Sequence, residues 1–226
     1  MRRGCAIRVR AAGRRLVSWA VRDVYERIFR CDDAEGDLVS FDAQCDLAAV
    51  VYGVDDDPDR LISGFVADLR RAGCRTVGVV QRGRSCRSEE PRLGVTMLPD
   101  GELVGLALDD EPAGGGCRLD PDRLARLSTR LAAAIHDGAD LVIINRFGRA
   151  EAEGKGLIEL IRQALDADIP VLIAVPEQRF AAWIRFSEGM NVRLPCRHDA
   201  LERWWRTIAG ASRASATAGR FCEVAK

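Results

Sequence analysis

The sequence predicts an α/β fold, a three-layer doubly wound domain with a mainly parallel sheet. Short, continuous apolar runs recur through residues 46–209, which is typical of strands buried on both faces of a parallel sheet. Between these runs lie segments with apolar residues at helical spacing. Strands that alternate with helices in this way are joined by right-handed crossovers, so helices are expected on both faces of the sheet.

The first strand–helix–strand unit shows the pattern most clearly. The run LAAVVY at 47–52 predicts a buried strand, and Asp57 and Pro58 then give the N-cap and first-turn residues of a helix. Gly73 ends that helix, and TVGVVQ at 76–81 predicts a second buried strand. The unit therefore predicts a parallel pair of strands with one crossover helix.

The alternation is interrupted by an inserted β-hairpin, predicted over about residues 92–109 around the turn PDGE. A glycine-rich loop, EPAGGGCRLDP, follows the hairpin. Asp120 and Pro121 then begin a helix that is expected to run to about His136.

Further strands and helices complete the predicted domain. They are, in chain order, a strand LVIIN at 141–145, a helix at 156–167, a strand PVLIAV at 170–175, a helix bearing Phe180, Trp183 and Phe186, a short strand NVRL, and a helix from Leu201 to Ile208.

Two flanking segments lie outside the predicted domain. Residues 1–45 form a basic amphipathic N-terminal arm with an acidic linker, and residues 210–226 form a small, polar tail that is expected to be flexible. Within the arm, residues 15–30 predict a helix with one apolar and one basic face. That helix could lie on an anionic membrane surface, dock on a transporter subunit, pack on its own domain, or precede the true start of the protein.

Composition excludes several classes of protein. Lysine and arginine equal aspartate and glutamate at 34 each, so the chain as a whole lacks the basic charge that nucleic-acid binding requires. The N-terminus lacks an apolar run long enough for a secretory signal. None of the eight cysteines forms a C-x-x-C pair, which argues against a zinc site and predicts no metal there. A cytoplasmic protein with reduced thiols is expected.

Ligands of such sheets bind beyond the carboxyl ends of the strands, which directs attention to the loops that follow. After the first strand comes YGVDDDPD, where a P-loop protein would carry G-x-x-x-x-G-K-[ST]. This loop has neither the lysine nor the hydroxyl, and its four aspartates would repel a triphosphate. We predict that Asp57 caps the helix and that its neighbours complement the helix dipole. A divalent-cation site is the alternative.

Two further loops carry candidate ligand-binding residues. In GGGCRLDP, Cys117 and Arg118 lie among backbone amides before a helix N-terminus, where an oxyanion could bind. The alternative is a flexible loop with a small buried cysteine. In NRFGRAEAEGK, Asn145, Arg146 and Lys155 are candidate anion ligands, and surface charge is the alternative.

Four segments in order carry a family resemblance: LAAVVY with TVGVVQ, GGGCRLDP, DLVIINRFGRAEAEGKGL, and PVLIAVPEQRFAAW. Together they resemble a bacterial family of uncharacterised domains often encoded beside molybdate-transport genes, over about residues 46–208. More distantly, the chain resembles the P-loop nucleoside triphosphatases, including the cancer-related group. Their second motif, Asp-Glu-x-Gly-x-x-Glu, aligns with residues 145–151, where Gly148 and Glu151 match.

The resemblance implies a P-loop-NTPase-like fold with degenerate Walker motifs, in which Mg²⁺ is doubtful. We expect a non-hydrolysing protein that binds a small oxyanion, such as molybdate or tungstate, or a nucleotide, and that is accessory to molybdenum or tungsten handling. One alternative is an active nucleoside triphosphatase with divergent motifs, in which Glu151 orients water as the catalytic residue. Another is a partner-binding module that docks through the N-terminal helix.

Overall fold

The computed structural model describes residues 45–82, 94–107 and 119–221, the last twelve of these by their backbone alone. The predicted helix at 15–30 lies outside these ranges, as do Cys117 and Arg118. Within the described ranges, no helix combines the length and the apolar character that crossing a membrane requires.

The described chain alternates strands and helices as expected. The strands are β1 (Leu47–Tyr52), β2 (Thr76–Gln81), β3 (Gly94–Leu98), β4 (Leu103–Gly105), β5 (Leu141–Ile144), β6 (Val171–Pro176) and β7 (Val192–Pro195). The helices are α1 (Pro58–Arg71), α2 (Pro121–His136), α3 (Arg149–Ala152), α4 (Ile158–Asp166), α5 (Phe180–Ser187) and α6 (His198–Phe221). A 3₁₀ turn, Glu177–Arg179, joins β6 to α5.

All of these strands form one sheet in the order β4-β3-β2-β5-β6-β1-β7. The strands β2, β5, β6, β1 and β7 run parallel. The pair β3–β4 is the predicted hairpin, and it extends the sheet antiparallel from β2. The sheet is therefore mainly parallel, and the predicted fold class is confirmed.

Helices cover both faces of the sheet and create two apolar cores. On one face α1 and α6 contribute residues such as Phe65 and Trp204. On the other face α2, α4 and α5 contribute Leu131, Ile161 and Trp183. Consecutive residues of the central strands point into different cores, which explains why their sequences are continuous apolar runs rather than alternating ones.

The C-terminal helix is longer than the sequence analysis predicted. A helix over residues 201–208 with a flexible tail from residue 210 was expected, but α6 begins at His198 and its backbone continues to Phe221. The added residues are small and polar, yet many are alanine, which has the highest intrinsic helix propensity. The backbone is helical as far as Phe221, whereas the flexibility expected of residues 210–226 stays a prediction.

Candidate functional site

The candidate site lies at the carboxyl edge of the sheet, where the ends of β1, β6 and β5 are neighbours. The loop 53–57 leads from β1 into the first turn of α1, and Asn145 and Arg146 follow directly after β5. The turn Glu177–Arg179 follows β6. This is the edge at which doubly wound folds bind their ligands.

Asp59, in the first turn of α1, is the centre of a buried polar cluster. Its Oδ1 accepts a hydrogen bond of 2.8 Å from Asn145 Nδ2, and its Oδ1 and Oδ2 lie 3.0 and 2.9 Å from Arg146 Nη2. Asp59 is 9 % exposed and Asn145 is 2 % exposed. The Arg146 guanidinium also stacks on the ring of Tyr52, with Cζ 5.5 Å from the ring centroid. A partly buried ion pair therefore joins α1 to the end of β5.

Two ionisable groups near this cluster are held in their neutral forms. Burial raises the pKa of the Tyr52 hydroxyl, and the positive charge of Arg146 opposes part of that rise. Burial also raises the pKa of the Cys196 thiol to about 11, with smaller contributions from Asp56 and Asp57. A thiol with so high a pKa is protonated at neutral pH and is a weak nucleophile.

The loop after β1 uses its own carboxylates to satisfy its backbone. Asp56 Oδ2 accepts a hydrogen bond of 2.7 Å from the Gly53 N–H, and Asp57 Oδ1 accepts one of 2.9 Å from the Arg60 N–H. The predicted N-cap role of Asp57 is therefore confirmed. Within the described ranges, no three His, Cys, Asp or Glu side chains form a group that could hold a metal ion.

Two clefts border the Asp59–Arg146 pair. The first, which we call the Arg179 cleft, has a volume of about 660 Å³ and is lined by Tyr52, by the guanidiniums of Arg146 and Arg179, and by the carboxylates of Asp56, Asp57 and Asp59. The second, which we call the Asn145 cleft, has a volume of about 820 Å³ and is lined by Asn145, Arg146 and several apolar side chains. Arg146 lines both clefts, so the ion pair forms part of the wall between them.

Comparison with known proteins assigns the chain to a family. The family described as "Protein of unknown function (DUF2478)" matches residues 47–204. The chain belongs to this family. The DUF2478 protein is also 40% identical, over 167 residues, to the "Molybdenum import ATP-binding protein ModC 2" of Bradyrhizobium diazoefficiens (strain JCM 10833 / BCRC 13528 / IAM 13628 / NBRC 14792 / USDA 110). The match covers 71% of this chain but 18% of that relative, so the chain spans less than a fifth of its length.

Two solved structures share the fold of the DUF2478 protein. A human cancer-related nucleoside triphosphatase superimposes with a TM-score of 0.53 at 15% identity, covering 75% of this chain and 98% of the other. THEP1 from the hyperthermophile Aquifex aeolicus gives 0.51 at 13% identity, covering 67% of this chain and 90% of the other. The resemblance predicted from the sequence, to a family of uncharacterised domains and more distantly to the cancer-related nucleoside triphosphatases, is confirmed.

The loop after β1 carries a negative charge at the position where a P-loop carries its positively charged lysine. If Gly53 is placed at the first glycine of G-x-x-x-x-G-K-[ST], then Pro58, Asp59 and Arg60 stand where the motif has glycine, lysine and a hydroxyl. In the motif that lysine reaches the phosphates and that hydroxyl binds Mg²⁺. Asn145, a neutral amide, follows β5 where P-loop proteins hold Mg²⁺ with aspartate. The residues present therefore do not fit Mg²⁺ and a triphosphate.

Glu151, predicted as the water-orienting residue of a hydrolase, is tied to the backbone around it. Its Oε2 accepts a hydrogen bond of 2.9 Å from the Gly148 N–H, and its Oε1 accepts one of 3.2 Å from the Leu157 N–H. At Gly156, where φ is +67°, a Cβ would lie 2.1 Å from Glu151 Oε1. The glycine is thus needed for the chain to close around the carboxylate, a contact that also stabilises the short helix α3.

Replacing Glu151 with alanine is expected to lower the free energy of unfolding by about 1–2 kcal/mol, because two partly buried N–H groups lose their acceptor. Urea unfolding monitored by circular dichroism measures the change. Glu153→Ala is the matched control, since Glu153 lies two residues on and makes only the exposed pairs with Arg149 and Lys155 given by the structure. A control loss as large as that of Glu151→Ala would contradict the capping role.

The structure brings together part of the predicted ligand set. Asn145, Arg146 and Glu151 all line the Asn145 cleft. Lys155 is exposed, with Nζ 3.9 Å from a carboxylate oxygen of Glu153. Because Cys117 and Arg118 lie outside the described residues, their role as anion ligands stays a prediction.

The sequence analysis missed the shared hydrogen-bond partner of Asn145 and Arg146. It assigned Asp59 to the helix dipole and did not pair it with Arg146. The signal that could have revealed the pair is the position of Asp59 in the P-loop register, where its negative charge replaces a positive one.

Proposed function

We propose that this protein is a non-hydrolysing, NTPase-like domain of the cytoplasm that is accessory to molybdenum or tungsten uptake or handling. The observation that carries the first part is the carboxylate of Asp59 at the position of the P-loop lysine, neutralised by Arg146. The likeness to a protein named for molybdenum import supports the second part. Docking on a transporter subunit or a membrane through residues 15–30 belongs to the same proposal.

Electrostatics at the first turn of α1 supports the absence of hydrolysis. A triphosphate placed there would meet Asp56, Asp57 and Asp59, and each close like-charge contact costs on the order of 1 kcal/mol even in water. The N–H groups of Gly53 and Arg60 already donate to carboxylates of the chain. The chain thus supplies its own anions at the place where a P-loop receives phosphates.

An active hydrolase with divergent motifs has weaker support. Both carboxylate oxygens of Glu151 accept backbone hydrogen bonds, and the side chain would have to break at least one of them to orient a water molecule. The amide of Asn145 also lacks the negative charge that would hold Mg²⁺.

The ligand that we propose for the accessory role is a small oxyanion or a nucleotide, bound next to Arg146. The Nε of Arg146 is buried and has no hydrogen-bond partner among the described residues, and Arg179 lines the same cleft. Guanidinium groups match the geometry of compact oxyanions such as molybdate. Three aspartates also line this cleft, but Asp59 is neutralised by Arg146, and Asp56 and Asp57 accept hydrogen bonds from backbone N–H groups, so Arg179 is available to the oxyanion. Cys117, Arg118 and Lys155 complete the proposed ligand set of the oxyanion.

Phosphate-release assays and calorimetric titration test this proposal. We expect purified protein to release no phosphate from ATP or GTP at high enzyme concentration, and to bind molybdate or tungstate more tightly than sulfate or ATP. Arg179→Ala should weaken oxyanion binding by about tenfold, the effect of losing one charge-assisted contact. Arg185→Ala, an exposed arginine of α5, should leave it unchanged. Nucleotide turnover, or no binding of any of the four ligands, would contradict the proposal.

A further inference from the structure

Asn145, which lines the Asn145 cleft, has a buried hydrogen-bond acceptor without a partner in the described structure. Asn145 Nδ2 donates to Asp59, and because an ionised carboxylate can only accept, this contact fixes which side of the amide carries the nitrogen. The oxygen, Oδ1, is buried and has no hydrogen-bond partner within the described part of the chain. Buried polar atoms are nearly always paired in folded proteins, so this acceptor indicates a missing donor.

Apolar side chains make up half of the described residues that line this cleft. They come from strands and helices on several sides of the cleft, among them Val79, Val95, Leu106, Leu124 and Leu157. The volume of about 820 Å³ lies within the range of about 300–1,000 Å³ that is common for small-molecule sites. An apolar wall with one buried acceptor suits a flat ring that carries an N–H group on its edge.

The charge of the cleft disfavours an anionic ligand. Asp56, Asp59 and Glu151 all line it, whereas Arg146 is the one cationic side chain that lines it in the described ranges. The charge of Arg146 is already neutralised by Asp59. The carboxylates left over would repel a phosphate group, so a neutral ligand is favoured over a phosphorylated one.

We propose that the Asn145 cleft binds a neutral, planar nitrogen heterocycle of the nucleoside type, whose amino group donates a hydrogen bond to Asn145 Oδ1. The ring lies against the apolar wall formed by Leu106, Leu124 and their neighbours. This cleft adjoins the Arg179 cleft and shares Arg146 and Asp59 with it. The proposed contact to Asn145 Oδ1 is not part of the oxyanion proposal, so the inference does not depend on the role of the protein in molybdenum handling.

Titration of the full-length protein with adenosine and cytidine, by calorimetry or by ligand-observed NMR, tests the site. Each nucleoside is compared with the same riboside without the amino group, and with its triphosphate. We expect at least one of the two nucleosides to bind. Removing its amino group should weaken binding by about tenfold, as expected for loss of one hydrogen bond to a buried acceptor. Adding the triphosphate should weaken binding by at least about tenfold.

Three variants locate the binding. Leu124→Trp, which fills the cleft, should abolish nucleoside binding, and Leu103→Trp, the same change at an exposed position of β4, should not. Asn145→Leu, checked for folding by thermal unfolding, should remove the preference for the amino-bearing riboside. The inference is overturned by absence of binding at millimolar ligand, by equal affinity for the amino-free riboside, or by unchanged binding to Leu124→Trp. Nucleoside binding without oxyanion binding would leave this inference standing and count only against the molybdate proposal.

Discussion

Replacing Asp59 with alanine is expected to lower the free energy of unfolding by about 2–4 kcal/mol, or the melting temperature by roughly 6–12 °C. The substitution leaves the guanidinium of Arg146 and the amide nitrogen of Asn145 without their common acceptor. Removing one partner of a fully buried ion pair costs about 3–5 kcal/mol, and we expect less here because the Arg146 side chain is 32% exposed. Thermal and urea unfolding measure the loss.

A matched control and a double-mutant cycle separate this pair from general charge effects. Asp55→Ala removes an exposed aspartate four residues away and should change stability by less than about 0.5 kcal/mol. Arg146→Met should be costly alone, yet cost less in the Asp59→Ala background, with a coupling energy of about 1–3 kcal/mol. Equal stability of the two aspartate variants, or strict additivity in the cycle, would refute the ion pair.

The candidate site could be predicted in part, because the rule that places ligands at strand ends depends only on the order of strands and loops. It led to Asn145 and Arg146 from the end of one apolar run. Their pairing with Asp59 was not predictable in the same way, since the two partners of the amide contact are 86 residues apart in the chain. The position of Asp59 in the first turn of a helix already explained its negative charge, so the neighbouring sequence gave no reason to look for a distant partner.

The fold was predictable where burial is uniform. The runs LAAVVY and TVGVVQ coincide with β1 and β2. Strands that are covered on both faces are nearly continuous apolar runs, so their first and last residues can be read from the sequence. The order of strands in the sheet follows from packing between distant segments, which composition and periodicity do not record. The short helix α3 was missed for a different reason, since it depends on local hydrogen bonds of the Glu151 side chain with Gly148 and Leu157, which hydrophobic periodicity does not record.

The inverted charge at Asp59 has consequences for both proposed sites. Asn145 and Arg146 each use one group to bind Asp59, and each keeps one buried polar atom without a partner in the described structure, an acceptor on Asn145 and a donor on Arg146. The acceptor is on Asn145, which lines the Asn145 cleft, and the donor is on Arg146, which lines both clefts. This edge of the sheet thus offers one group suited to a donor-bearing ring and one suited to an anion.

Replacing Gly78 with alanine is expected to have the largest effect of any single change considered, a loss of at least about 4 kcal/mol that leaves most of the protein insoluble. Gly78 has φ +137° in the middle of β2, where a Cβ would lie 1.9 Å from the carbonyl oxygen of Ile143 in β5. Backbone cannot yield as a flexible side chain would. The two strands would have to separate, and with them the hydrogen bond from the Asn145 N–H to Val79 O. Expression, solubility and urea unfolding report the outcome.

Gly64→Ala provides the same substitution with the opposite expected sign. Gly64 lies on the exposed side of α1, and a Cβ there would meet no atom within 4 Å. Alanine restricts the unfolded chain and favours the helix, so a gain of about 0.5–1 kcal/mol is expected. If Gly78→Ala folded as well as Gly64→Ala, the register that pairs Gly78 with Ile143 would be wrong. The position of Asn145 beside Asp59 would then lose its support, because that register sets where β5 ends.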